Sequence, residues 1–183
     1  MPKYKFKRTN LTDHEEIEKM IRRAGEPWLK ALIAFLYLYG CRCSEALMLK
    51  KEDVWVDGSV IHARIPLLKR RRADGPYERP THILRVHSSA PFADVFLEHW
   101  GRLSPNERVF PHSRWWAWKK IKELNPCVSP HVFRHDRLTK IAMKRPDPYL
   151  LKDWAGWSDT RPAEYYVEAV GYRTMQVQDL VTD

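Results

Sequence analysis

Apolar stretches alternate with short polar breaks along this chain, and the spacing of the breaks predicts its elements. After a basic lead-in, Thr12-Asp13-His14-Glu15 reads as a capping box, in which the threonine hydroxyl and the glutamate satisfy orphan amides at a helix start. This helix is expected to run to about Ala24. Pro27 suits a first helical position, and the mainly apolar run at 28–39 closes at Gly40, a C-terminal cap, so a second, buried helix is expected there. Ser44 can cap a short third helix through Leu49. Apolar stretches at 54–56 and 59–67 flank Asp57-Gly58, a two-residue hairpin signal, and a third strand is expected at 81–86 after a loop at 69–80. From Ala90 the pattern turns helical, with apolar faces at 92–103 and 115–124. Ser129-Pro130 opens a further helix as N-cap and first position, and two more are expected near 149–154 and 162–170. The expected fold class is α+β, mainly helical with a small three-stranded antiparallel sheet that is too small to be the core on its own.

Composition narrows the class. Of 183 residues, 44% are apolar and 30% charged, enough for a packed core and unlike a disordered tail or a collagen-like polymer. No linker or solenoid-type repeat divides the chain, which reads as one unit. The run at 28–39 contains Lys30 and falls short of the roughly 20 residues a bilayer span needs, and the basic N-terminus leads into no signal-peptide apolar region. Three cysteines without C-x-x-C spacing argue against a disulfide framework or a structural zinc, which points to a reducing, cytoplasmic compartment. Lys and Arg number 32 against 23 Asp and Glu, a net charge of +9 that points to a polyanionic partner.

Three segments could carry chemistry. His131-Val132-Phe133-Arg134 opens a predicted helix, where i to i+3 spacing puts imidazole and guanidinium on one face and the helix N-terminus favours an anion such as phosphate. Read alone, it could equally be a solvated basic face. His135 adds a second histidine at i+4 from His131, a spacing known from zinc sites, yet the acid of H-E-x-x-H and a third ligand are lacking. In Gly40-Cys41-Arg42-Cys43-Ser44-Glu45, Arg42 projects from a tight turn and can pair with Glu45 as a structural ion pair. Finally, Gly156-Trp157-Ser158-Asp159 precedes Tyr165-Tyr166, and tandem tyrosines on a helix are ordinarily core.

Together these segments resemble, in order, the catalytic domain of the tyrosine recombinases, the family of phage-type integrases and Xer-type resolvases. The resemblance covers nearly the whole chain. It places the family's first arginine at Arg42, within its G-x-R-x-S-E type segment, and the hairpin lysine at Lys69. His131 and Arg134 of the H-x-x-R-H motif supply the histidine and second arginine, with Glu45 and His135 in support. Trp157 stands where many relatives carry histidine, and counting nine onward gives Tyr166 as nucleophile, with Tyr165 as the neighbouring alternative. Arg70, Arg71 and Arg72 are expected to contact DNA phosphates.

By this resemblance, two arginine forks neutralise the non-bridging oxygens of a pentacoordinate phosphorus, while His131 adds a third donor or shuttles a proton. Trp157 can donate its indole N–H and cannot accept a proton. Tyr166 forms a 3′-phosphotyrosine linkage, and Lys69 protonates the leaving 5′ oxygen. Because the phosphodiester is exchanged and not hydrolysed, neither ATP nor a metal is needed, so the expected cofactor set is empty. The implied function is site-specific recombination, integrating or excising a mobile element. A type IB topoisomerase-like relaxation activity and a non-catalytic DNA-binding relic are the alternatives. The expected partner is a double-stranded DNA attachment site, bound as a homotetramer by a chain that can be monomeric when free. The resemblance also implies that 1–183 is a single catalytic domain without the helical DNA-clamping domain that usually precedes it. Five Asn plus Gln in all, together with the Gly-Trp variant, suggest a heat-adapted archaeal virus or plasmid as source.

Overall fold

The computed structural model describes residues 14–68 and 80–171. Helices α1 (His14–Arg23), α2 (Pro27–Tyr39) and α3 (Cys43–Ala46) lead into strands β1 (Val54–Asp57), β2 (Val60–Pro66) and β3 (Thr81–His87). Helices α4 (Ala93–Gly101), α5 (Arg114–Leu124), α6 (Pro130–Lys144), α7 (Pro148–Ala155) and α8 (Arg161–Ala169) follow. The strands form one antiparallel sheet in the order β1-β2-β3, with Ile61 opposite Val86 and Ala63 opposite Leu84. Alternation puts Ile61, Ala63, Ile65, Leu84 and Val86 on the buried face.

Helix α2 is the centre of the molecule. Pro27 starts it, and nearly every side chain along it is buried, so it must be covered on all sides. α1, α4, α5, α6 and the sheet supply that cover. Phe35 packs on Phe96 of α4 and on Phe110, with ring centroids 5.0 and 5.6 Å away, and the buried Tyr39 hydroxyl donates to the carbonyl of Ile61 in β2. A second, smaller core joins Leu138 and Ala142 of α6 to Leu151 and Ala155 of α7 and to Ala163, Tyr166 and Val167 of α8. Phe133 belongs to the first core and Leu138 to the second, so α6 runs through both, with Arg134 where they meet.

The expected α+β class and three-stranded sheet match this architecture, and α2 has the expected bounds, ending at Gly40 with φ 60°. Three local expectations need correction. The third helix is capped by Arg42, not Ser44, and ends at Ala46, because the Glu45 carboxylate accepts from the Arg42 backbone N–H at 2.8 Å and fixes the start there. The hairpin turn is Gly58-Ser59, not Asp57-Gly58, since Asp57 pairs with Val60 in the ladder and Gly58 takes the positive φ of 54°. Helix α4 starts at Ala93 because Phe92 sits at φ 65°, its ring packed against His14 and Tyr37. Thr12 and Asp13 of the expected capping box lie outside the described residues. Among the described residues no helix is long and apolar enough to cross a membrane.

Candidate active site

The first site element is the turn between α2 and α3. Gly40 takes the left-handed conformation that stops α2, and a Cβ there would lie 2.6 Å from the Cβ of Arg137, so the glycine also lets α6 approach. Two residues on, Arg42 is held at both ends. Its backbone N–H and its Nη1 donate to the two carboxylate oxygens of Glu45, at 2.8 and 2.7 Å. Glu45 is only 1% exposed, so its charge is committed to Arg42. The structural ion pair and a fixed, presented guanidinium are therefore the same feature.

Arg134 is 4% exposed. Its Nη1 donates to the carbonyl of Gly40 at 3.2 Å and its Nη2 to that of Ala155 at 2.8 Å. These carbonyls lie at the C-terminal ends of α2 and α7, where helix dipoles place negative partial charge. Burial, and then repulsion from Arg42, pull its proton affinity below the usual arginine value, while Glu45 opposes them. Two like charges so arranged form a site for an anion.

Trp157 follows Gly156, the left-handed cap of α7, and its ring lies beneath Arg134 with Cζ 5.6 Å from the centroid. The same indole stacks on Tyr166, centroids 5.9 Å apart. Tyr166 is 5% exposed, and its hydroxyl lies 2.6 Å from Nδ1 of His135. Burial raises the phenol to about 12, against the pull of Arg134. Burial and then Arg134 lower the His135 imidazole. At neutral pH both groups are therefore uncharged, and the phenol donates to Nδ1 in the tautomer that carries its hydrogen on Nε2. His131, exposed at the first turn of α6, meets the edge of His135 at 4.5 Å. Tyr165 sits beside Tyr166 with its ring nearly perpendicular.

Lys69, Arg70, Arg71 and Arg72 lie outside the described residues. The roots of their connection are described: the Leu67 N–H donates to the Pro80 carbonyl at 2.8 Å. A Cβ on Gly156 would come 2.2 Å from Leu67 Cδ2 and 3.2 Å from the His82 ring, so the end of the β2–β3 ladder is seated against the residue preceding Trp157. Of the expected site residues, the fold thus brings Arg42, Glu45, Arg134, His135, Trp157 and Tyr166 into one cluster, with His131 at its edge. No group of three or more His, Cys, Asp or Glu among the described residues could hold a metal ion.

A model of the phage integrase family matches residues 10–170, nearly the whole chain. The chain belongs to the phage integrase family. Its fold is that of tyrosine recombinase catalytic domains. The structure of the XerH site-specific recombinase bound to its difH substrate matches with a TM-score of 0.67 at 18% identity, covering 84% of this chain and 49% of that one. XerA recombinase matches at 0.65 and 18%, covering 91% and 64%. The catalytic domain of bacteriophage HP1 integrase matches at 0.61 and 15%, covering 85% of each chain. A probable integrase/recombinase of Aquifex aeolicus is 26% identical over 165 residues, covering 75% of this chain and 52% of the relative. This integrase-family chain thus spans about half the length of that curated relative and of the XerH chain.

Sequence reasoning missed three contributors to the cluster in this chain. The carbonyls of Gly40 and Ala155 hold Arg134, and backbone groups carry no residue signature. Trp154 belongs to no motif that sets it apart among the eight tryptophans, yet its Nε1 donates to the Tyr39 carbonyl at 2.9 Å and ties α7 to the end of α2.

Proposed function

We propose that this domain breaks and rejoins duplex DNA through a covalent phosphotyrosine, the chemistry of site-specific recombination, in integrating or excising a mobile element. The observation that carries the reading is the buried Arg134 guanidinium, adjoining the charge of Arg42 and stacked on the same indole as the Tyr166 ring. A scissile phosphodiester relieves the repulsion between the two cations, and their forks match its non-bridging oxygens as charge develops there. Tyr166 attacks phosphorus, Lys69 protonates the departing 5′ oxygen, and the tyrosine keeps the 3′ phosphate. His131 supplies a further donor, Trp157 sets the ring position of Tyr166, and Arg70 to Arg72 follow the backbone beside the break. Since one phosphodiester replaces another, neither ATP nor a metal enters the balance. The DNA partner is an attachment site, on which four copies assemble.

The test is covalent trapping on nicked suicide duplexes drawn from a randomised pool, followed by mapping of the linked residue. An adduct at Tyr166 through a 3′ phosphate is the expected result, and an adduct at Tyr165 would overturn the assignment. Relaxation of supercoiled plasmid without any preferred site would place the domain with topoisomerases instead.

A further inference from the structure

Any phenol attacking phosphorus must lose its proton, and α6 presents two histidines one turn apart for the task. The side chain whose Nδ1 lies 2.6 Å from the Tyr166 hydroxyl is His135, not the motif histidine His131. The two rings are inclined by only 29°, with centroids 5.8 Å apart, so the contact is held by packing as well as by the hydrogen bond. We propose that His135 is the proton acceptor for Tyr166 as its hydroxyl attacks phosphorus. The inference rests on Tyr166 being the nucleophile.

The surroundings of the ring set where the proton rests. Arg134 and His131 flank it on α6, Tyr166 faces it from α8 with Tyr165 against the Tyr166 ring, and Arg42 and Glu45 act through Arg134 from the α2–α3 turn. Burial and the Arg134 charge both disfavour imidazolium, and burial disfavours phenolate, so in the free protein the proton stays on Oη. A bound phosphodiester places phosphorus within reach of Oη, and the new bond takes up the charge that a free phenolate would have to carry. Then the Oη–H bond breaks with its proton passing to Nδ1, the Oη–P bond forms, and the P–O5′ bond breaks with the oxygen taking a proton from the general acid. In the return step the 5′ hydroxyl attacks phosphorus and returns its proton to the general acid's conjugate base, the P–Oη bond breaks, and His135 gives its proton back to Oη. The unbound protein carries no reactive phenolate.

His135→Asn tests this, because the asparagine carbonyl falls near the position of Nδ1 and can accept the hydrogen bond without taking the proton. Single-turnover adduct formation, on a suicide duplex selected from the randomised pool, should fall about 100- to 10,000-fold, with DNA affinity unchanged. Replacing the bridging 5′ oxygen by sulfur, which leaves without a proton, should not rescue His135→Asn. An adduct rate within about threefold of wild type, while Tyr166→Phe forms none, would overturn the role of His135. An adduct in Tyr166→Phe would instead overturn the nucleophile assignment. The wild-type pH profile gives an answer independent of any variant's folding. The rate should rise with pH through a midpoint below 6.5. A rate flat from about pH 4 to 8 refutes the role of His135.

Discussion

Replacing Arg134 by lysine separates what the guanidinium does for the fold from what it does for a phosphate. One planar fork bridges the Gly40 carbonyl of the α2 cap and the Ala155 carbonyl of α7, at 3.2 and 2.8 Å. An ammonium keeps the charge but can satisfy only one of these ends, and the other acceptor is left unpaired in a site where the native side chain is 4% exposed. Leaving a buried carbonyl unpaired costs about 1–3 kcal/mol. For a domain with roughly 5–15 kcal/mol of stability, a loss of about 2 kcal/mol leaves well under a tenth of the molecules unfolded. Catalysis should suffer far more: losing one donor aimed at developing charge typically costs about 100- to 1,000-fold, or about 2.7–4 kcal/mol. Urea unfolding at 25 °C and single-turnover adduct formation on a suicide duplex measure the two effects on one preparation. A rate within about threefold of wild type would refute the phosphate clamp. An unchanged midpoint and slope would refute the carbonyl bridge.

Glu45→Gln removes the charge that compensates Arg42 while keeping one acceptor oxygen, and should cost about 2–4 kcal/mol in urea unfolding, against nothing measurable if the pair is ornamental. Gly156→Ala forces a side chain into φ 65° and against Leu67, so a loss of at least about 1–2 kcal/mol is expected; a melting temperature equal to wild type would contradict the close packing of β2 on α7. Tyr166 ionises late: the absorbance difference between wild type and Tyr166→Phe should titrate near pH 12. A midpoint at the ordinary phenol value near 10 would mean the hydroxyl is not buried. The sign for stability follows, since the folded phenol is raised. The contribution of Tyr166 is full below pH 10 and is lost as pH rises toward 12, so the variant should lose less stability over that window.

Much of the fold is local in origin. A mainly apolar run between Pro27 and Gly40, broken only by Lys30, determined that α2 is a buried helix, because a helix apolar nearly all round has little solvated face to offer. Alternation likewise determined the inward faces of β2 and β3. The ordered motifs placed Arg42, His131, Arg134, Trp157 and Tyr166 on the right kinds of element. Where the reading slipped, at the α3 cap and the Gly58 turn, a side chain or a strand partner elsewhere chose between two adjacent residues of similar local preference.

What the tertiary structure decided is which groups meet. Tyr165 and Tyr166 are equivalent to any local rule, since one step on a helix only turns a side chain by about 100°. The position of α6 beside α8 makes Tyr166 the buried one and puts its hydroxyl on His135 instead of on the motif histidine. In the same way, a sequence can announce an arginine but not the two carbonyls that hold it. Those belong to helix ends separated from Arg134 by 94 and 21 residues, and only the packing of α2, α6 and α7 brings them together.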